Sequence, residues 1–252
     1  MASRDAIAAF LDERLDAAGY PDALPVGLQV VGAPEVTRIA SGVSASRELF
    51  RRAAEAGAQM LIVHHGLFWD REPRRIGRLE RERLVALFDA DLSLLAYHLC
   101  LDAHPTLGNN AILCDLLGVT EREPFAEHHG RTIAFAGRLQ PGLTLDELVG
   151  RVRERVSSEV LVFADGPPRI ERIAVVSGGA AGDIRAAAAA GAHAFITGEA
   201  AEPTLHLARE LGVHYIAAGH YATEVFGVRA VGNLVAGEFG IDHEFIDLPN
   251  PV

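Results

Sequence analysis

Hydrophobic and polar positions along the chain follow two periods, one typical of strands and the other typical of helices. Short apolar runs such as Met60-Leu61-Ile62-Val63 predict buried strands, whereas apolar residues three or four positions apart, as in 4–18, predict amphipathic helices. Ser3 is the expected N-cap of that first helix, and Gly19 is its expected stop. The further elements predicted, in chain order, are a strand near 36–43, a helix near 46–56, a strand over 59–64, a helix near 80–90, a strand over 92–97, a strand near 132–139 and a helix near 144–156. Strands that alternate with helices in this way indicate βαβ units and a largely parallel sheet.

Two stretches lack a clear period. The polar segment 69–78 and the segment 119–131 are both predicted to be irregular, and the second contains Pro124 and the string His128-His129-Gly130. Because no apolar strand is expected before that string, its histidines are interpreted as surface residues.

The second part of the chain partly repeats the first. At an offset of 134 residues, Arg38-Ile39-Ala40 matches Arg172-Ile173-Ala174, and Ala56-Gly57-Ala58 matches Ala190-Gly191-Ala192 without a gap. The repeat predicts two related, interlinked α/β halves with mixed, largely parallel sheets and helices packed on them. The predicted halves are residues 1–126 and 127–252, which we expect to form one compact unit with a shared site.

A second repeated motif follows the last predicted strand of each half. At an offset of 122 residues, His98 matches His220, and four positions later Asp102 matches Glu224. Both halves therefore end an apolar strand with histidine, three intervening residues and a carboxylate.

Polar side chains thus collect at the predicted carboxyl ends of strands, which is where parallel α/β sheets bind their ligands. They are His64, His65, His98, Asp102, His220, Glu224 and, opposite His65 in the first register, Glu199. Imidazole and carboxylate groups without a thiolate favour zinc, iron, manganese or nickel. Since neighbouring strand residues point to opposite faces, His64 and His65 can serve one site only if the backbone bends, and Gly66 suits such a bend.

Each of these residues also has a purely structural interpretation. His98 could be a buried, hydrogen-bonded side chain, and Asp102 could cap a turn. His220 and Glu224 could form an exposed pair on a helix. Their coincidence at four strand ends of repeated units favours a site for at least one metal ion. Five or six ligands exceed the need of one tetrahedral ion, so a bridged pair of ions is the fuller hypothesis, with the long side chain of Glu224 as the bridge.

Composition and charge narrow the possible functions. The chain has 252 residues, of which 49% are hydrophobic, and its formal net charge is −11. This charge makes nucleic acid an unlikely partner and argues against binding to an anionic membrane. The sequence contains no lysine, which excludes a lysine Schiff base and a Walker A lysine. Two cysteines and no apolar run long enough to span a bilayer favour a cytoplasmic protein without a disulfide framework.

Several strings of the sequence together form a specific motif set. They are Val63-His64-His65-Gly66-Leu67-Phe68-Trp69, Tyr97-His98-Leu99-Cys100-Leu101-Asp102-Ala103-His104, Gly108-Asn109-Asn110, Ile196-Thr197-Gly198-Glu199 and Gly219-His220-Tyr221-Ala222-Thr223-Glu224, with Gly27-Leu28-Gln29-Val30 near the start. This set resembles that of the Nif-three-like family, also called GTP cyclohydrolase I type 2 homologues or dinuclear metal centre hexameric proteins. The resemblance covers nearly the whole chain, although many relatives have proline where this chain has Cys100.

The resemblance implies a ligand set and an assembly. The implied metal ligands are His64, His65, Asp102, His220 and Glu224. They would hold two divalent ions per subunit, of zinc, iron, manganese or nickel. The resemblance also implies a homohexamer, built as a trimer of dimers, whose sites face an internal cavity.

The leading functional hypothesis is a metal-dependent hydrolase or cyclohydrolase that acts on a nucleotide-like or other small-molecule substrate. A water activated by the metal would attack the substrate, and His98 or Glu199 would carry the proton. Six arginines after the His-His motif could receive phosphates, but interleaved acidic residues favour a solvated charged face; they are Arg71, Arg74, Arg75, Arg78, Arg81 and Arg83. The alternative hypothesis is a non-enzymatic metal-binding ring for metal storage, delivery, sensing or scaffolding.

Overall fold

The protein is described here by a computed structural model that covers residues 1–72 and 75–252. The helices are α1 (Arg4–Arg14), α2 (Arg47–Glu55), α3 (Arg78–Asp89), α4 (Leu99–Asp102), α5 (Asn109–Leu117), α6 (Leu145–Arg155), α7 (Ile184–Ala189), α8 (Thr204–Leu211) and α9 (His220–Phe239). The strands are β1 (Ala2–Ser3), β2 (Gly27–Val30), β3 (Glu35–Val36), β4 (Arg38–Ser44), β5 (Met60–His65), β6 (Ser93–Ala96), β7 (Val119–His128), β8 (Arg131–Leu143), β9 (Leu161–Phe163), β10 (Ile170–Val175), β11 (Ala194–Thr197), β12 (His214–Ala217) and β13 (Asp242–Phe245). Short 3-10 turns lie at Ala17–Gly19 and Ala181–Asp183.

The chain divides into two compact units. The first contains Met1–Leu101 and Gly227–Leu248, and the second contains Asp102–Phe226 and Pro249–Val252. These bounds differ from the predicted halves, 1–126 and 127–252, because the chain returns to the first unit near its end. There β13 pairs in parallel with β4, with His243 opposite Ile39.

The first unit is built on a sheet with the strand order β13-β4-β5-β6-β2 among its described residues. The first four strands are parallel, and the edge strand β2 is antiparallel to β6. Between β4 and β5 the chain crosses over through α2, whose first turn is capped by the Ser46 hydroxyl. The strands β5 and β6 are buried along their apolar residues, which places their carboxyl ends at one edge of a closed core.

The second unit has a mixed sheet, for which the described strands give the order β7-β8-β10-β11-β12-β9. Its central strands β10, β11 and β12 are parallel, and the strands on either side of them are antiparallel to their neighbours. The helices α5 and α6 contribute Leu113, Leu117, Leu148 and Val152 to the core against this sheet. Together with the first sheet, this arrangement confirms the predicted class, α/β with mixed and largely parallel sheets.

The internal repeat is visible in the topology of both units. Each has an antiparallel edge strand that precedes three parallel strands in sequence and pairs with the third of them, as β2 does with β6 and β9 with β12. The registers also correspond at the offset of 134 residues. Ile39 lies opposite Met60 in the first unit, and Ile173 lies opposite Ala194 in the second. The repeated sequence strings therefore mark the same two strands in each unit.

The structure corrects the prediction for residues 119–131. This segment is not an irregular loop, since β7 and β8 form a long antiparallel hairpin across it. His129 and Gly130 make the two-residue turn with positive φ angles of 50° and 80°, which is the backbone form that tight hairpins require. The sequence pattern missed β7 because its acidic and basic residues interrupt the apolar alternation.

In the part of the chain that the structure covers, no helix combines the length and the apolar character needed for a membrane crossing.

Candidate metal centre

Three histidines meet at the carboxyl ends of two neighbouring parallel strands in the first unit. His64 and His65 are the last residues of β5, and His98 follows β6. The ring centroid of His64 lies 4.8 Å from that of His65 and 4.9 Å from that of His98. One ring nitrogen of each histidine lies within 4.8 Å of the other two, which is close enough for all three to bind one ion. We call His64, His65 and His98 the histidine triad.

Each ring of the triad is oriented by a hydrogen bond at Nδ1. In His64, Nδ1 lies 2.9 Å from the carbonyl oxygen of Tyr97, which can only accept, so this nitrogen carries the proton. In His65, Nδ1 lies 2.9 Å from the hydroxyl of Ser44. A histidine that donates from one ring nitrogen offers the lone pair of the other, which is the usual arrangement of histidine ligands of metals.

His98 has the strongest orienting partner of the three. Its Nδ1 lies 2.9 Å from Oδ1 of Asp22, whose side chain is almost fully buried. Burial alone would raise the pKa of Asp22, but hydrogen bonds from His98 and from the backbone N–H groups of Leu99 and Ala23 hold that pKa below its ordinary value. Asp22 is therefore an ionised acceptor that fixes the Nδ1 tautomer of His98.

A second group of possible ligands lies in the second unit, at the start of α9. His220 is the first residue of this helix, after Gly219 with φ of 93°, and Glu224 follows one turn later. Nε2 of His220 lies 3.1 Å from Oε2 of Glu224, and its Nδ1 lies 2.5 Å from Oε1 of Glu199. Burial lowers the pKa of His220, but the carboxylates of Glu224 and Glu199 outweigh burial and raise the pKa to about 9.

Asp102 is buried in the second unit and held by two donors. Its Oδ1 accepts hydrogen bonds from Nδ2 of Asn109 at 2.9 Å and from Oγ of Ser177 at 3.1 Å. Asn109 belongs to the motif Gly108-Asn109-Asn110, and Asn110 accepts from the backbone N–H of Ser177 at 2.7 Å. These bonds fix the carboxylate in place, as is typical of carboxylates that bind metals.

The backbone of Gly178 packs directly against His220 and Glu224, the candidate ligands on α9. A Cβ atom at this position would lie 2.2 Å from Oε1 of Glu224 and 3.1 Å from Nε2 of His220. The φ angle of Gly178 is 66°, a value that residues with a side chain rarely adopt. Only glycine fits at position 178, because its backbone packs against His220 and Glu224.

With this geometry established, comparison with known proteins identifies the family. The family model Duf34/NIF3 (NGG1p interacting factor 3) matches residues 2–251. The chain belongs to the DUF34/NIF3 family. A relative from Pseudomonas aeruginosa, named GTP cyclohydrolase 1 type 2 homolog, is 46% identical over 240 residues, which cover 95% of each chain.

Two solved structures have the same fold as this chain. Protein ybgI, described as of unknown function, has a TM-score of 0.94 and 40% identity over the whole of both chains. TTHA1606 from Thermus thermophilus has a TM-score of 0.92 and 34% identity, again over the whole of both chains. The family suggested by the sequence motifs is therefore confirmed.

Within this NIF3-family chain, the structure brings the predicted residues together in two groups. His64, His65 and His98 meet in the first unit, and His220, Glu224 and Glu199 meet in the second. Three residues without a predicted role hold predicted ones in place: Asp22 bonds to His98, and Ser177 and Asn109 donate to Asp102. Of the three, Asn109 lay in a quoted motif. Asp22 stands 76 positions before His98, so no local spacing signals the pair.

Gly66 has a different role from the one its position suggested. Both histidines before it remain within β5, and the φ angle of Gly66 is not positive. A Cβ atom here would lie 2.3 Å from the amide of Gln29, which accepts a hydrogen bond from the N–H of Leu67 and donates one to the carbonyl of Pro25. Gly66 thus allows the Gln29 side chain to join the segment after β5 to the segment before β2.

The arginine-rich stretch after the His-His motif forms ion pairs at some of its residues. Glu82 accepts hydrogen bonds from Arg78 at 2.8 Å and from Arg47 at 2.6 Å. Arg74 lies outside the described residues. These pairs are what a solvated face of mixed charge would form, in keeping with the preferred interpretation of the stretch.

Proposed function

We propose that the chain is a divalent-metal-dependent hydrolase of the cyclohydrolase type, acting on a nucleotide-like or other small molecule. The observation that carries the proposal is the histidine triad, whose rings are held by Tyr97, Ser44 and Asp22 with their ring nitrogens converging. Three oriented imidazoles at the carboxyl ends of parallel strands are the donor set that catalytic sites for zinc and related ions use.

Two ions per chain are proposed, with zinc, iron, manganese and nickel as the candidate metals. The proposed ligands are His64, His65, Asp102, His220 and Glu224, and the triad adds His98 as a further candidate. The donors are imidazole nitrogens and carboxylate oxygens, and these fit borderline divalent ions better than soft ones. When bound, such an ion lowers the pKa of a water molecule towards 7 and so supplies a nucleophile at neutral pH.

The chain's own residues would position the substrate and move the proton. Glu199 is partly exposed and contacts Nδ1 of His220, so its carboxylate can both orient that ring and accept a proton from solvent. His98 is also partly exposed, and its Nδ1 donates a hydrogen bond to the buried Asp22 carboxylate, which holds the ring in place. We propose these two residues as the proton carriers of the reaction.

The substrate class is proposed from the names of relatives. Proteins that share more than 40% of their residues with this chain are named GTP cyclohydrolase 1 type 2 homologs. GTP is therefore the first compound to test. We also propose a cytoplasmic homohexamer, a trimer of dimers, because the sequence motifs resemble those of hexameric relatives; the molar mass in solution tests it.

The test combines metal content with turnover. The purified protein is stripped of metal, reloaded separately with zinc, iron(II), manganese or nickel, and assayed with GTP and a panel of nucleotides and other hydrolysable small molecules. We expect about two ions per chain, and turnover only after reloading. His65→Ala should lose at least one ion and reduce turnover by about 100-fold or more. His206→Ala, at an exposed position of α8, is the matched control and should change neither.

Two results would contradict the proposal. Unchanged turnover of every active substrate by a metal-depleted His65→Ala protein would exclude the metal from the reaction. Full metal loading with no turnover of any compound in the panel would contradict the hydrolase hypothesis and favour the alternative, a non-enzymatic metal-binding ring.

A further inference from the structure

We propose that a cavity beside the histidine triad binds a planar, uncharged heterocyclic ring of nucleobase size and excludes phosphate groups. The cavity has a volume of about 390 Å³ and lies in the first unit, between the segment that follows β5 and the start of α3. The inference rests on the proposed function, because it assigns the site that would hold the ring of the substrate. Binding of the ring itself requires no metal.

The wall of the cavity is apolar and aromatic. Pro25, Leu67, Phe68, Trp69 and Ile76 line it. Trp69 packs on the core of the first unit from its partly buried position, so its indole is a firm surface for a flat ligand. The backbone on both sides is also fixed, since the N–H of Asp70 donates to the carbonyl of Ala23 at 2.8 Å. Aromatic side chains bind planar rings such as nucleobases by stacking.

The same indole connects the cavity to the triad. The ring centroid of Trp69 lies 5.4 Å from that of His98 and 6.0 Å from that of His65. A ring stacked on Trp69 would therefore lie one side chain away from the proposed metal ligands. At this separation, the ring can stay stacked on Trp69 while an atom attached to the ring reacts at the proposed metal ligands.

The charge of the cavity disfavours phosphate. Three carboxylates line it, from Asp70, Glu72 and Glu80, against one guanidinium from Arg75 among the described lining residues. A triphosphate carries several negative charges and would be repelled by this surface. The cavity volume is at the lower end of the range for small-molecule sites, roughly 300–1,000 Å³, which suits one ring system better than a whole nucleotide. The phosphates of a nucleotide would thus remain outside.

The chain supplies its own reporter for this site, because Trp69 is its single tryptophan. Metal-free protein is titrated with guanosine and GTP, with adenosine and ATP as a second pair and inorganic tripolyphosphate as the anion alone. Indole fluorescence and the one indole N–H signal in a nitrogen-15 correlation spectrum are recorded. We expect each nucleoside to shift both signals, with a Kd at most threefold above that of its triphosphate, and tripolyphosphate to have no effect.

Substitutions at the rim locate the binding. Ile76→Asp places a charge on the exposed apolar wall and should weaken guanosine binding at least fivefold. Phe88→Ser, at a similarly exposed position of α3 that does not line the cavity, is the matched control and should leave Kd unchanged. Arg75→Gln should change the Kd of GTP by less than twofold, because no phosphate is bound there.

The outcomes separate this inference from the proposed function. No shift with either nucleoside, a shift with tripolyphosphate alone, or a Kd for GTP more than threefold below that of guanosine would overturn the ring site. A protein that binds guanosine on Trp69 but never binds metal or turns over a substrate would retain the ring site and overturn the hydrolase.

Discussion

At the scale of single residues, the orientation of the triad depends on partners that are not themselves candidate ligands. Tyr97 contributes a backbone carbonyl, Ser44 a hydroxyl and Asp22 a carboxylate. Only the last is a charged acceptor whose side chain can be changed without altering the backbone. Asp22 therefore offers the sharpest test of how the rings are held.

Replacing Asp22 by asparagine should weaken metal binding by about 10–100-fold, because the amide no longer stabilises the ring orientation with a full negative charge. Part of its hydrogen bonding to the N–H groups of Ala23 and Leu99 is also lost. The measurement is the metal Kd, by competition with a chelator of known affinity. Asp89→Asn, at the exposed end of α3, is the control. An Asp22→Asn protein with the metal affinity of the unmodified chain would show that the carboxylate does not position the ring.

Gly178→Ala tests the close approach of backbone to ligand. The new methyl group would overlap Oε1 of Glu224, and the φ angle of 66° adds strain of about 1–3 kcal/mol. We expect the free energy of unfolding to fall by about that amount and metal binding to fall more than in any variant that is only destabilised. Gly182→Ala is the matched control, since a Cβ there meets no atom within 4 Å and its φ is not positive. Equal metal content in both variants would argue against a role for Glu224 as ligand.

At the scale of elements, helix caps distinguish what the sequence could predict from what it could not. Thr144 caps α6, and the side chain of Glu147 accepts a hydrogen bond from the Thr144 N–H at 2.7 Å. Ser3 occupies the same position before α1, yet its side chain makes no capping hydrogen bond. The residue type at the N-cap position therefore does not predict whether the side chain makes a capping hydrogen bond.

Thr144→Ala should therefore reduce the free energy of unfolding by about 1 kcal/mol, since it removes the acceptor for the N–H of Glu147. Ser3→Ala, the matched control, should change it by only a few tenths of a kcal/mol. Denaturant unfolding of both variants provides the comparison. An equal loss in the two would mean that the capping bond of α6 contributes nothing.

Three elements of the first unit meet at His243. Its Nε2 lies 2.8 Å from the hydroxyl of Ser41 on β4, and its Nδ1 lies 2.9 Å from Oδ1 of Asn233 on α9. The amide oxygen only accepts, so Nδ1 carries the proton and Ser41 donates to Nε2. Burial, followed by the positive charge of Arg229, holds the pKa of His243 below its ordinary value of 6.5. The network thus requires neutral histidine.

The sign of the pH effect follows from that lowered pKa. The unfolded chain takes up a proton near pH 6.5 before the folded chain does. The contribution of His243 to stability is full above pH 6.5 and is lost as the pH falls through the folded pKa. In His243→Gln, the decrease in the free energy of unfolding between pH 7.5 and pH 5 should be smaller than in the unmodified chain. His206→Gln should leave the decrease unchanged; an equal decrease in both variants would contradict the role of His243.

The site was predictable from sequence only as far as strand ends could be recognised. His64, His65 and His98 were predicted to meet because apolar runs end there, and parallel strands bring those ends together. Asp22 was not, because it follows the 3-10 turn in an irregular segment and reaches His98 across 76 positions. The strand β7 was missed because charged residues interrupt its alternation of apolar and polar positions. Its pairing with β8 depends on the positive φ angles of the turn, which cannot be read from the amino-acid composition.

At the scale of the whole molecule, each unit has its own closed hydrophobic core. The first is centred on residues such as Leu61, Val63 and Leu94, and the second on Ile173, Ile196 and Ile216. The contacts within these two clusters are made between apolar side chains and do not depend on a bound ion. The two folds are therefore expected to persist when metal is removed.

Metal removal should lower the midpoint of thermal unfolding without unfolding the chain at 25 °C. At a free metal concentration of about 100 times Kd, one bound ion adds about 2.7 kcal/mol. For a chain of this size that amount corresponds to a shift in Tm of roughly 5–11 °C. Calorimetry with and without a chelator measures it, and far-ultraviolet circular dichroism reports the fold. Loss of secondary structure on chelation at 25 °C would assign the metal a structural role instead.

The pairing of β13 with β4 has a consequence for synthesis on the ribosome. One edge of β4 can pair with β5 soon after both strands leave the ribosome. The other edge stays unpaired until residues 242–245 have been synthesised. At about 5–20 residues per second, translation of the roughly 200 residues between the two strands takes about 10–40 s. An open strand edge is a template for pairing with other chains. Nascent chains that stall before Asp242 lack the strand that covers this edge of β4, and they are therefore the species that most need a chaperone.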